Sequence, residues 1–571
     1  MTLTPTAPAP PAGPARRRIG DMLVDAGLLT PEQVELAVQR QKQTGKAFGE
    51  VLLDAGMVDE VGLAAVLSAH FDMPLVDLRS VTFDQAALRL VPEELARERF
   101  FIPIELTDAR ITLAMTFPND KLAIDAVRER TGREVTALLA LKSEILLTIQ
   151  QQYKVVGDVG ALSETFIAER RPATAFVAPA LSGIAEDAPV VQIVNLLFGQ
   201  ALRDRASDIH IEPQQDKLRV RYRIDGVLHE ATALPKEVGP AVSSRIKIMA
   251  NLNIVEKRRS QDGQLSFSLE GRDVDVRVAT VETIWGEKIV CRILDKSLAY
   301  LDLAQVGLDL TMLDRHRELL RQPYGMILVC GPTGSGKTTT LYASLNDIDR
   351  VKKNITTIED PVEYVIDGIN QVPINAAIDR TFANGLRALL RQDPDVILVG
   401  EIRDVETAEI ASNAALTGHL MISSIHANDA IGGLFRLMDL GIERFMITSS
   451  LISIISQRLV RKIDPHCRIE LPASPAEMAL VKSIGITTDT VFTGQGCNYC
   501  SGTGFLGRTG IFEYLAMSDD LRSAINQGAS SQQLRKQAEA EGMVTLRQDG
   551  LRKVARGITS VAEVFSVLQT A

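Results

Sequence analysis

Residues 331–338 read Gly-Pro-Thr-Gly-Ser-Gly-Lys-Thr, a complete G-x-x-x-x-G-K-T loop. An apolar run, Met326-Ile-Leu-Val-Cys330, precedes it, and a segment able to form a helix, Thr338–Leu345, follows. That strand–loop–helix setting is what a phosphate-binding loop needs. Gly331, Gly334 and Gly336 let the chain turn tightly and present backbone N–H groups to phosphate oxygens, and the helix N-terminus adds a field that favours an anion. Pro332, Thr333, Ser335 and Thr339 complete the loop. Lys337 is expected on the β- and γ-phosphates and the Thr338 hydroxyl on Mg²⁺. The chain therefore reads as one that binds a nucleoside triphosphate.

Further polar groups follow the loop in order. Asn354–Tyr364 is a β-branched run ending in carboxylates, Glu359 and Glu363 among them. Asp395-Val-Ile-Leu-Val-Gly-Glu401 is an apolar strand with a carboxylate just past its C-terminal end, where ligands gather in a parallel α/β sheet. A third strand, Leu420–Ile425, is flanked by His419 and His426. Arg219, Arg221 and Arg223 alternate along one predicted strand and so share a face, while Arg277 and Arg292 lie on two others. Cys497-Asn-Tyr-Cys500, followed by Ser-Gly-Thr-Gly504, is a tight knuckle suited to a tetrahedral thiolate site, and Asp464-Pro-His-Cys467 precedes it by about thirty residues. Three thiolates plus the Asp464 carboxylate make an acceptable zinc set; a metal-free loop held by glycine turns is the alternative.

The boxes GPTGSGKT, TIEDPVEY, DPDVILVGEIRD and TGHLMISSIHANDA, with ASDIHIEP, VRYRIDGVLHE and WGEKIVCRIL upstream, resemble the secretion ATPase superfamily. The branch most similar is that of the type II secretion and type IV pilus assembly ATPases, and the resemblance runs from about Asp187 to Tyr514. It implies a multidomain α/β protein with a P-loop, RecA-like ATPase core, preceded by a PAS-like domain and an N-terminal regulatory or docking region. It also implies a hexameric ring that hydrolyses ATP by in-line attack of water. Thr338 and Glu401 would organise Mg²⁺, Glu363 would orient the attacking water with Glu359 as second choice, and His419 and His426 would sense the γ-phosphate. Arg277 and Arg292 would close over the nucleotide, with Arg436 and Arg508 as further members of that cluster.

Length and composition agree with a machine of several parts. A chain of 571 residues exceeds the about 250–300 residues at which single cores stop growing. With 46% hydrophobic and 23% charged residues it is globular in composition, and a net charge of −10 argues against direct nucleic-acid binding. No stretch reaches the about 20 apolar residues of a membrane span, Arg16–Arg18 lack an apolar partner segment, and five cysteines do not suggest a disulfide scaffold. The expectation is a cytoplasmic protein, peripheral at the inner face of the cytoplasmic membrane through its partners: a platform protein in that membrane and a cytoplasmic docking protein.

The chain divides by composition into a Pro/Ala-rich tail (1–17), a repeat (18–70), an α/β docking domain (71–153), a linker (154–186), the PAS-like domain (187–300) and the ATPase core (301–571), which carries the cysteine insertion 464–500. In the repeat, Arg18-Ile-Gly20, Gly27, Val34, Val38 and Gln41 recur as Ala47-Phe-Gly49, Gly56, Leu63, Leu67 and His70. This resembles the cyclic-di-GMP-binding module found at the front of many assembly ATPases, and implies a ligand site with Arg18 and Gly20 in the first copy; a small docking domain that only packs against an inner-membrane partner is the alternative. The second copy departs at Ala47 and His70, and Ala offers nothing in place of a bidentate guanidinium. The reading reached is an ATPase driving assembly of a type IV pilus or a type II secretion pseudopilus. A retraction motor and a DNA-uptake or secretion motor of the same superfamily are the alternatives.

Overall fold

A computed structural model describes residues 17–44, 46–153, 162–163, 165–167, 188–269, 272–294 and 301–569. The expected tail up to residue 16 and most of the expected linker lie outside these residues. The chain forms two compact units, one of residues 1–155 with 497–502, the other of residues 156–496 with 503–571.

In the first unit the repeat is visible as geometry. Helices α1 (Ile19–Asp25) and α3 (Phe48–Asp54) are each entered from an extended residue, Arg18 (φ −68°, ψ 143°) and Ala47 (φ −62°, ψ 145°), and lead to α2 (Pro31–Thr44) and α4 (Glu60–Phe71). Gly27 (φ +69°) and Gly56 (φ +61°) make the same left-handed turn in each copy. Leu23, Leu52, Leu63 and Leu67 share a core with Phe117 and Leu139 of the following domain. That domain is a three-stranded sheet, β1 (Phe101–Leu106), β2 (Arg110–Met115) and β3 (Glu134–Leu139), with β1–β2 antiparallel and β2–β3 parallel.

The second unit holds two sheets and a short ribbon. The first sheet is antiparallel, in the order β6 (Val227–Pro235), β5 (Lys217–Ile224), β4 (Ala206–Pro213), β9 (Gly286–Leu294), β8 (Arg272–Thr283), β7 (Gln261–Leu269). Its strands alternate: Leu218, Val220 and Tyr222 are buried while Arg219, Arg221 and Arg223 line the other face.

The second sheet runs β12 (Asn370–Pro373), β11 (Ile355–Glu359), β13 (Val396–Val399), β14 (Leu420–Ile425), β10 (Gly325–Cys330), β15 (Leu451–Ile463), β18 (Phe505–Ala516). All neighbours are parallel except β15–β18. Strands β10, β13 and β14 are buried throughout, as their unbroken apolar runs require of a sheet covered on both faces. The edge strand β18 is covered by the helices Leu546–Ala555 and Val561–Gln569: Asp549 accepts from Phe512 N (2.8 Å) and binds Lys553 (2.5 Å), and Glu563 binds Arg461 (2.7 Å). Between β15 and β18 the chain forms the ribbon of β16 (Arg468–Pro472) and β17 (Thr490–Gly494).

Candidate functional site: the phosphate loop and its surroundings

Strand β10 delivers residues 331–338 at its C-terminal end, and the helix Lys337–Asn346 follows directly. Gly331 (φ +154°), Gly334 (φ +79°) and Gly336 (φ +90°) all occupy conformations that favour glycine. At Gly331 space also decides, since a Cβ would lie 2.5 Å from Ser335 Oγ and 2.7 Å from Gln457 O. Lys337 Nζ donates to the carbonyls of Gly331 (2.9 Å) and Pro332 (3.1 Å). Burial lowers the pKa of its ammonium, and the nearby Glu401 works against that. The Ser335 hydroxyl is buried and has no hydrogen-bond partner among the described residues. That orphan group, together with the first-turn N–H groups of the helix, suits this loop to a polyphosphate.

Glu401 follows β13, next to β14, which pairs β10 on its other side. The turn is pinned by Ser424 Oγ donating to Gly400 O (2.8 Å) and Ile402 N to Ser424 O (2.9 Å). The Glu401 carboxylate binds Arg403 and lies 3.5 Å from His426 Nε2. Lys337, Glu401 and His426 thus converge at the C-terminal ends of β10, β13 and β14.

His419 does not join them. The register pairs Gly325 with Leu420 and Cys330 with Ile425, so His419 stands at the start of β14, beside the start of β10. Five residues of strand, roughly 16 Å, separate that end from the phosphate loop. Its Nδ1 lies 3.1 Å from Ala414 O, and its own carbonyl accepts from Gly325 N. The expectation that His419 senses the γ-phosphate is corrected: it ties a helix to the far end of the sheet.

Glu359 and Glu363 also separate. Glu359 ends β11 and is buried, with three donors on its carboxylate: Tyr342 Oη (2.5 Å), Thr357 Oγ1 (2.6 Å) and Gln371 Nε2 (3.1 Å). Tyr342, Thr357 and Gln371 thus fix the Glu359 carboxylate in place. Glu363 is half-buried and accepts from Arg277 Nη1 at 2.8 Å, while Arg277 Nη2 donates to Val362 O (2.9 Å). Arg292 faces Arg277 across the β8–β9 ladder but binds Asp208 (3.0 Å) and remains 63% exposed. Arg219, Arg221 and Lys288 all bind Glu212. Burial works to raise the Glu212 pKa, and those three cations outweigh it and hold it at about 2. The alternating arginines are therefore paired with acids on their own sheet. Arg436 and Arg508 are exposed.

Residues behind the loop carry no motif. Gln457 Nε2 donates to Ser335 O (2.7 Å), and the buried Arg458 donates to Gln457 O (2.9 Å) and Asn428 O (2.8 Å). The available signal is the polar stretch Ser456-Gln457-Arg458 interrupting the apolar residues of β15.

Asp464 and Cys467 belong to the second unit, and Cys497 and Cys500 to the first. The Cys497 and Cys500 sulfurs are 3.8 Å apart, close to the about 3.8 Å between thiolates on a tetrahedral zinc with 2.3 Å bonds. Asp464 is fully buried, with His466 N and Nδ1 on one oxygen and Cys467 Sγ 3.7 Å from the other. His466 stands behind the Asp464 carboxylate as its orienting partner. Within the first unit, Asn498 Nδ2 donates to the carbonyls of Leu78 (2.9 Å) and Val81 (2.8 Å), and Gln151 Nε2 to that of Tyr499 (2.7 Å).

In the repeat, Arg18 and Ala47 are exposed at equivalent helix starts. Gly20 is buried instead, and a Cβ there would come 2.8 Å from Val34 Cγ1. Its lack of a side chain serves helix packing.

Residues 184–566 match the family described as Type II/IV secretion system protein, and residues 71–157 match the MshEN domain. A type IV pilus assembly ATPase PilB of Myxococcus xanthus is 39% identical over 96% of this chain and 98% of its own length. A type II secretion system protein E of Xanthomonas campestris pv. campestris is 40% identical over 98% and 99%. Among solved structures, the Legionella pneumophila ATPase DotB shares the fold, with a TM-score of 0.52 at 20% identity over 66% of this chain and 96% of that one.

Proposed function

The chain belongs to the type II/IV secretion system protein family and is an ATPase of it, and on that premise we propose that it powers assembly of a type IV pilus or a type II secretion pseudopilus. The carrying observation is the convergence of Lys337, Glu401 and His426 on the phosphate loop, with Glu363 held by Arg277 from the preceding sheet. Gly331–Thr339 hold the phosphates of ATP, and Lys337 turns from the loop carbonyls to the β- and γ-oxygens. Thr338 and Glu401 hold Mg²⁺, which when bound neutralises charge on those oxygens. Glu363 aligns the attacking water and His426 contacts the γ-phosphate. Arg277 and Arg292 move onto the nucleotide when the two sheets of the unit close, and that change of angle is the mechanical output. The working form is a homo-hexamer at the inner face of the cytoplasmic membrane, held there by a platform protein and a docking protein. Among the described residues no helix is long and apolar enough to cross a membrane. Asp464, Cys467, Cys497 and Cys500 hold a structural zinc, and the repeat with Arg18 takes cyclic-di-GMP.

The test is a strain whose only copy carries Lys337→Ala. Loss of surface filaments, or of secreted protein, at unchanged chain abundance supports the assembly role. Excess filaments would identify a retraction motor, and unchanged filaments and secretion would overturn the reading.

A further inference from the structure

Tyr342 lies on the phosphate-loop helix, five residues beyond Lys337, and only 1% of it is exposed. Its hydroxyl donates to Glu359 Oε2 (2.5 Å) and accepts from the backbone N–H of Glu363 (3.3 Å). The other Glu359 oxygen is fixed by Thr357 and Gln371, so the carboxylate does not swing away from the phenol. Gln371 also donates to Tyr364 O (3.0 Å) and accepts from Ile366 N (2.8 Å), and the Tyr342 and Tyr364 rings meet edge-on at 6.1 Å. Burial first, and then the Glu359 charge, push the phenol pKa up, which keeps the proton on Tyr342 and leaves its lone pair for Glu363.

We propose that Tyr342 is a positioning residue for hydrolysis: its hydroxyl, aimed by Glu359, fixes the main chain at Glu363 to the helix that follows the phosphate loop. When phosphate settles that helix, the Glu363 carboxylate is placed with it, and Arg277 meets it from the other side. The inference rests on the reading of Glu363 as the group that aligns water. It gives the buried Glu359 a task that does not need contact with the nucleotide.

The test is single-turnover and steady-state ATP hydrolysis by the full chain, with binding of a non-hydrolysable ATP analogue and thermal melting measured in parallel. Tyr342→Phe should lower kcat about ten-fold while analogue affinity stays near wild type, because a loosened carboxylate misplaces water without touching the phosphates, and Tm should fall modestly because Glu359 loses a buried donor. Glu359→Gln should act in the same direction. Its amide oxygen is drawn to the side with two donors, which turns the NH₂ toward the phenol and removes the acceptor. In a Glu363→Gln background Tyr342→Phe should cost nothing further, since Tyr342 acts through Glu363. Wild-type kcat in Tyr342→Phe, or the full single-mutant factor persisting in the Glu363→Gln background, would overturn the inference. Should Tyr342→Phe not fold, wild-type kcat in Glu359→Gln overturns it alone. Near-normal kcat in Glu363→Gln would instead overturn the underlying assignment of Glu363.

Discussion

Arg277 Nη1 lies 2.8 Å from a carboxylate oxygen of Glu363, joining a strand of the antiparallel sheet to the acidic loop of the ATPase core. A guanidinium that neutralises Glu363 in one state and a developing phosphate charge in another has to change partners during a cycle. Arg277→Ala should therefore lower kcat by about 10²-fold, the scale of losing one preorganised charge donor. Arg292→Ala, whose residue binds Asp208 and is mostly exposed, should have the smaller effect. Steady-state ATPase assays across a range of protein concentrations check both. If ring closure completes the site, wild-type specific activity rises with concentration and Arg277→Ala stays flat.

The two histidines give the next expectation. His426→Ala should lower ATP turnover at least about ten-fold, whereas His419→Ala should stay within about two-fold, since it lies at the far end of β14. Lys337→Ala should abolish turnover, and Glu401→Gln should still bind ATP yet turn it over slowly. Parallel binding and hydrolysis assays separate these cases.

For the cysteine site, elemental analysis of purified protein should find about one zinc per chain, lost in Cys497→Ser. Asp464→Cys should slow zinc release to a chelator, because a thiolate replaces a harder oxygen ligand. Equal release rates in the two proteins would speak against Asp464 as a ligand.

For the repeat, titration calorimetry on the full chain should show cyclic-di-GMP binding weakened by Arg18→Ala and strengthened by Ala47→Arg. The equivalent backbone at positions 18 and 47 is the reason the second change should help. No heat from either protein at ligand concentrations on the order of tens of micromolar would make the repeat a docking fold only.

Acid stability offers a fifth check. Burial pushes the His316 pKa down to about 4, with Nε2 2.9 Å from Ser344 Oγ on the phosphate-loop helix. The unfolded chain takes up this proton near pH 6.5, and the folded one only near pH 4, so folding loses stability as pH falls through that window. The loss from this group approaches about 3 kcal/mol, and His316→Gln should flatten the fall in Tm between those two pH values.

The phosphate loop, and the places of Glu401 and His426 past the ends of β13 and β14, were legible because each belongs to a short local pattern whose position in a parallel sheet follows from general rules. His419 was misread against one of those rules: it precedes its strand, and ligands gather where strands end. Gln457 and Arg458 were invisible, because their partners Ser335 and Asn428 are brought near only by the pairing of β10 with β15. The different surroundings of Glu359 and Glu363 could not be derived from spacing, since they depend on Tyr342, Thr357 and Gln371 closing on one carboxylate and Arg277 on the other. The packing of Gly20 was likewise out of reach, since it depends on Val34 lying against it.

The cover over strand β18 bears on how the chain is made. Synthesis runs from N- to C-terminus, so β15 and β18 emerge before the helices at 546–569 that seal them. During that interval the twelve-residue edge strand offers unpaired backbone to any neighbouring nascent chain, and Arg461 lacks its Glu563. Ribosomes stalled shortly before residue 546 would release the species most prone to aggregate, and folding helpers that act on this protein have their greatest use before the helices at 546–569 emerge.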